Sequence, residues 1–107
     1  MKLLIGDNER LALTNAMEYA LSTLIVTHLE QRVGMSHVQL EKLRNHLAIQ
    51  PTPVNAHFSE TEVCAFEECL RMALAEMDEE DFLRRIGVEF SFAQALLATL
   101  RQELTRH

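Results

Sequence analysis

Polar and apolar positions in this chain follow two periods at once, a helical one and a long one of 53 residues. Glu9, Ala12, Ala20, Leu21, Arg32 and Gly34 recur as Glu62, Ala65, Ala73, Leu74, Arg85 and Gly87. Leu13 meets Phe66, Met17 meets Leu70, Leu24 meets Met77, Leu29 meets Phe82, Val33 meets Ile86 and Met35 meets Val88, all without a gap. Apolar positions kept twice at one offset describe a supersecondary unit stacked on a copy of itself.

Within the first copy, residues 7–47, the i, i+3, i+4 spacing predicts a helix from Asp7 or Asn8 towards Gly34, with Leu11, Leu13, Ala16, Met17, Ala20, Leu21, Leu24, Ile25 and Leu29 inward. Ala12, Tyr19 and Val26 widen its stripe, so it packs against more than one neighbour. Ser36 with Gln39 forms a capping box, Met35 and Leu40 staple it, and Leu40, Leu43 and Leu47 make the inner face of the helix that follows. Residues 48–58 hold both prolines and no helical period, and read as a connector.

The second copy, residues 59–104, opens with the capping box Ser59–Glu62, stapled by Phe58 and Val63. Its long helix points Val63, Phe66, Leu70, Ala73, Leu74 and Met77 inward. Asp78 to Asp81 start a short helix ending at Gly87, and Ser91 with Gln94 starts a last one through Leu104. That last helix is apolar on most of its surface and is expected to be buried. The fold class is therefore all-α: residues 1–107 form one domain of two pseudo-repeated helical hairpins, about five helices, whose long helices share a core. Three glycines, two prolines and 48% apolar residues agree with this and leave little room for a many-stranded sheet.

Charge divides the copies. Residues 1–53 carry five basic and five acidic side chains, residues 54–107 five basic and eleven acidic, so the net charge of −6 belongs to the second half. A negative surface repels phosphate backbones and favours protein partners. No apolar stretch approaches the roughly 20 residues of a membrane span. With no leader pattern and two cysteines, the reading is a cytoplasmic protein with free thiols.

Around the repeated glycines the chain reads LEQRVGMSHVQLEKL (29–43) and FLRRIGVEFSFAQALLATL (82–100). These segments resemble helix-turn-helix units, with Leu29, Val33, Met35, Leu40 and Leu43 at the apolar positions. The resemblance implies DNA readout by His37, Gln39, Lys42 and Arg44. Glu30 stands where the family places a small residue. The second copy is read as carrying two extra residues before Ser91, and it offers Phe92, Ala93, Leu96 and Leu97 where base contacts need polar groups.

Other residues explain themselves structurally. Arg32 and Arg85 sit at helix C-terminal ends and Glu9 and Glu62 in first turns, where the dipole favours each charge. Cys64 and Cys69 align with Leu11 and Ala16 and read as core thiols. His28, His37, His46, His57 and His107 lack metal-ligand spacing and read as surface residues, and no nucleophile, phosphate loop or acid pair is recognisable. No catalytic residue, metal or cofactor is expected.

The leading reading is a small acidic interaction module, a regulator or inhibitor of immunity, antitoxin or phage type. It would meet a basic partner through Glu67, Glu68, Glu76, Asp78, Glu79, Glu80 and Asp81. The alternative is a helix-turn-helix transcriptional regulator using the first copy; a ligand pocket between the copies is a third. Homodimers or larger homo-oligomers are expected from the apolar last helix.

Overall fold

The computed structural model describes residues 1–106 and contains six helices and two short strands. The order is β1 (Lys2–Ile5), α1 (Asp7–Thr23), α2 (Val26–Val33), α3 (His37–Ile49), β2 (Val54–His57), α4 (Glu60–Glu76), α5 (Glu79–Ile86) and α6 (Phe90–Arg106). Shifting α1 and α2 by 53 residues reproduces the bounds of α4 and α5. The all-α class is observed, with one helix more than expected.

The extra helix comes from a break in the first one. At Leu24 and Ile25 the backbone turns extended (ψ 140° and 156°), so α1 ends where its copy α4 ends, at Met77. Ile25 and Val26 consequently lie at an exposed corner, 62% and 59% accessible, and Leu11 is 41% accessible. The cap of α1 is Gly6, whose N–H donates to Glu9 Oε1 at 3.0 Å, so neither Asp7 nor Asn8 caps it.

Residues 48–58 are more than a connector. Helix α3 extends to Ile49, and β2 pairs antiparallel with β1 in the register Lys2↔His57, Leu3↔Ala56, Leu4↔Asn55 and Ile5↔Val54. Met1 and Phe58 exchange backbone hydrogen bonds of 2.6 Å at the end of the ladder. Leu3, Ile5, Val54 and Phe58 face the helices and are buried.

Packing follows the repeat. Helix α1 lies against α3 and α4, α4 against α1 and α6; α2 crosses to α4 and α5 crosses to α1. Both long helices carry small buried residues every fourth position, Ala12, Ala16 and Ala20 in one, Ala65, Cys69 and Ala73 in the other. Small side chains let neighbouring helices approach closely. Phe66, Phe82, Leu13, Met17, Leu29, Leu40 and Leu70 fill the interior from both copies.

Helix α6 starts at Phe90, with Ala93 N–H donating to Glu89 O at 3.1 Å, so Glu89 holds the cap position of Ser36. The two extra residues before Ser91 do not exist: Gly87, Val88 and Glu89 form the same three-residue turn as Gly34, Met35 and Ser36. Nor is α6 buried all round. Ala93, Leu96, Leu97 and Leu100 are buried, while Ser91, Phe92, Gln94, Ala95 and Ala98 face out. Leu96, Leu97 and Leu100 are covered within the chain, mainly by α4, so the outward apolar surface of this helix reduces to Phe92 and small alanines.

Both turn glycines are left-handed, φ 87° at Gly34 and 89° at Gly87. A Cβ at Gly34 meets nothing within 4 Å, whereas at Gly87 it comes within 3.1 Å of Leu11 Cδ2. Gly34→Ala is expected to cost about 1–2 kcal/mol from backbone conformation alone. Gly87→Ala is expected to cost slightly more, because the half-exposed Leu11 must turn aside. Denaturant midpoints for the two variants check this, and a stabilising Gly34→Ala would contradict it.

Candidate functional site

The turn at Gly34 sets up the first surface of interest. Gln39 N–H donates to Ser36 Oγ at 3.2 Å and Ser36 N–H to Gln39 Oε1 at 2.9 Å, closing the capping box that starts α3. Leu40, Leu43 and Leu47 turn inward, leaving Val38, Glu41, Lys42, Asn45 and His46 on the outside. The four residues assigned to readout do not share one face of α3. His37 Nδ1 lies 3.7 Å from Glu41, and Arg44 is tied to Glu18 of α1 and to Asn45 Oδ1 at 3.0 Å. Gln39 and Lys42 instead share a face with His46, at i, i+3 and i+7.

That face forms one wall of an open groove of about 500 Å³ between the copies. Lys42, Gln39 and His46 of α3 stand on one side, Ser59, Thr61 and Glu62 at the start of α4 on the other, and Met35 and Leu43 form the floor. A smaller groove of about 250 Å³ lies at Gly87, Val88 and Phe92 of the second copy, beside Asn8 at the start of α1. The two are equivalent under the repeat: Gly34, Met35, Gln39 and Thr61 correspond to Gly87, Val88, Phe92 and Asn8. Each is built from the glycine turn of one copy and the long-helix start of the other. The first carries Gln39, Lys42, His46 and Glu62 in its lining, whereas the second carries Leu83, Val88 and Phe92 beside Asn8 and Glu89.

The acidic residues divide between internal ion pairs and a free end. Glu67 accepts from Arg101 Nε at 3.0 Å. Glu68 accepts from Arg71 at 2.9 and 2.5 Å and lies 3.5 Å from Arg32, and the Glu68 bond holds the Arg71 guanidinium above its ordinary pKa. Glu76 accepts from the Tyr19 hydroxyl at 2.8 Å and lies 3.7 Å from Arg32; burial, then this carboxylate, raises the Tyr19 pKa. Asp78 caps α5 by accepting Asp81 N–H at 2.8 Å, and Asp81 and Glu80 lie 3.2 and 3.7 Å from Arg84. Glu79 has no such partner among the described residues. The seven acids are therefore not one uniform face: those on α4 hold neighbouring arginines, and the exposed charge concentrates at Asp78, Glu79 and Glu80.

The repeated arginines do more than answer their own helix ends. Arg32 of α2 reaches Glu68 and Glu76 of α4, and Arg85 of α5 lies over the Tyr19 ring of α1, 5.0 Å from its centroid. Asn15 of α1 donates to Ile86 O at 2.8 Å. Each copy thus fixes the short helix of the other.

Cys69 is buried in the core, and burial, with Glu68 nearby, pushes its thiol up to about 12. Cys64 is only half-buried, its pKa raised by burial and then by Glu60 and Glu67. Of the histidines, His28, His46 and His57 are exposed and His37 is half-buried; His107 lies outside the described residues. No cluster of three His, Cys, Asp or Glu among the described residues is placed to hold a metal ion, and no helix there is long and apolar enough to cross a membrane.

Sequence reasoning missed His46 and Thr61 as groove residues and Glu18 as the partner of Arg44. The groove residues were within reach of the helical period from Gln39 and of the repeat, which sets each glycine turn against the opposite long helix. No family model, curated protein or solved structure matches the chain.

Proposed function

We propose that this protein is an acidic binding module, a regulator or inhibitor that acts by engaging a basic protein surface. The observation that carries the reading is how its cations are used. Arg32, Arg44, Arg71, Arg84, Arg101 and Arg106 meet carboxylates, Arg10 donates to Gln50 O, and Arg85 lies over Tyr19. Among the described residues this leaves Lys2 and Lys42 as the cationic side chains without an intramolecular partner. A polyanion finds little positive charge to neutralise, whereas a basic partner finds Asp78, Glu79 and Glu80 exposed together.

Exposed charges of this kind act mainly on association rate and are screened by salt. The double variant Glu79→Gln/Glu80→Gln leaves the Asp78 cap intact and is expected to reduce capture of a basic partner about tenfold at low salt. Quantitative affinity capture from host lysate, at low and high salt, measures this. Capture that is equal for both proteins, or insensitive to salt, would sink the reading. A DNA gel shift abolished by Lys42→Ala would select the helix-turn-helix alternative instead, which the exposed outer ridge of α3 favours.

A further inference from the structure

The two equivalent grooves separate what the fold requires from what it does not. The glycine turn, the apolar floor and the capping carboxylate are present in both copies, as Gly34 and Gly87, Leu43 and Leu96, Glu62 and Glu9. Folding therefore accounts for these. It does not account for Lys42, which stands where the other copy has Ala95, whereas Gln39, which stands where that copy has Phe92, closes the capping box of α3.

Lys42 and Glu62 line the same groove from opposite walls, yet no ion pair closes between them within 4.0 Å. One oxygen of Glu62 accepts the Ser59 N–H at 2.8 Å, which holds the carboxylate in place at the start of α4. Between the two charges lies an apolar floor of Met35 and Leu43. A volume of about 500 Å³ falls inside the range of about 300–1,000 Å³ of small-ligand sites.

From this arrangement we propose that the groove binds a free α-amino acid with an apolar side chain. Its carboxylate meets Lys42, its ammonium meets Glu62, and its side chain covers Met35 and Leu43. A ligand carrying only one of the two charges leaves the opposite wall unanswered. The second groove, lined by Asn8, Leu83, Val88, Glu89 and Phe92, has no cation and does not bind the same molecule. The inference does not rest on the acidic surface of α5, and either can fail alone.

The test is a titration of the whole protein, followed by its amide ¹H–¹⁵N spectrum, with L-leucine, L-methionine and L-phenylalanine. N-acetyl-L-leucine and L-leucinamide, each lacking one charge, serve as comparisons. Saturable shifts of the Gly34 and Thr61 amides are expected with at least one amino acid. Where leucine is that ligand, its capped forms should bind roughly ten- to hundredfold more weakly, the size of a lost charge-assisted contact. Lys42→Gln and Glu62→Gln should weaken binding by a similar factor, with spectra still dispersed as in the folded protein, because glutamine keeps the capping bond to Ser59. The proposal is overturned if none of the three amino acids gives saturable shifts at millimolar concentration. It is equally overturned if the capped compounds bind as well as leucine, or if Lys42→Gln binds unchanged.

Discussion

Phe66→Ala is expected to lower the unfolding free energy by about 3–5 kcal/mol. Phe66 has no exposed surface and meets Phe58 edge-on, ring centroids 5.2 Å apart. It sits on α4, which α1, α2 and α6 all touch, so none of the surrounding elements can close the void without moving its other contacts. A domain of this size is stable by about 5–15 kcal/mol, so the variant keeps only part of that margin. Urea denaturation should show a lower midpoint with an unchanged slope. A loss under about 1 kcal/mol would mean that the core collapses around the site far more readily than its packing implies.

The second large effect belongs to Cys69 and to alkaline pH. Its thiol is pushed up to about 12 from an ordinary value of 9.0 by burial. Between these values the folded chain holds the proton that the unfolded chain releases. The contribution is therefore full below about pH 9 and is lost as pH rises towards 12, at up to about 1.4 kcal/mol per pH unit. Cys69→Ala installs the residue found at the aligned position, Ala16, and should flatten this part of the profile. Comparing urea midpoints of both proteins from pH 8 to 10.5 isolates the thiol from other titrating groups. Parallel profiles would remove Cys69 as the cause.

Elements announced by a side-chain signal were legible before the structure. Ser36–Gln39 and Ser59–Glu62 are capping boxes, Asp78 caps α5, and both glycines are left-handed. Elements without such a signal were not. Ile25 precedes α2 with no side-chain cap, so an unbroken apolar stripe concealed the break, although Asp78 marks the same place in the other copy. The strands were hidden because four residues are too few to establish a period of two, and β2 follows directly on the prolines. At the candidate site, chemistry could be assigned to residue types but not to partners. Arg44 reads as a DNA-readout residue in the sequence, and only the packing of α1 beside α3 turns it to Glu18.

The reciprocal bracing by Arg32, Arg85 and Asn15 has a kinetic side. Since each copy supplies the wall on which the other's short helix rests, the molecule behaves as an obligate pair written on one chain, with residues 50–53 as the tether. Covalent linkage keeps the two halves at an effective concentration in roughly the millimolar range. Their meeting is thus a first-order event, independent of how dilute the protein is. A nick in that tether would leave every native contact available and still make the fold depend on concentration.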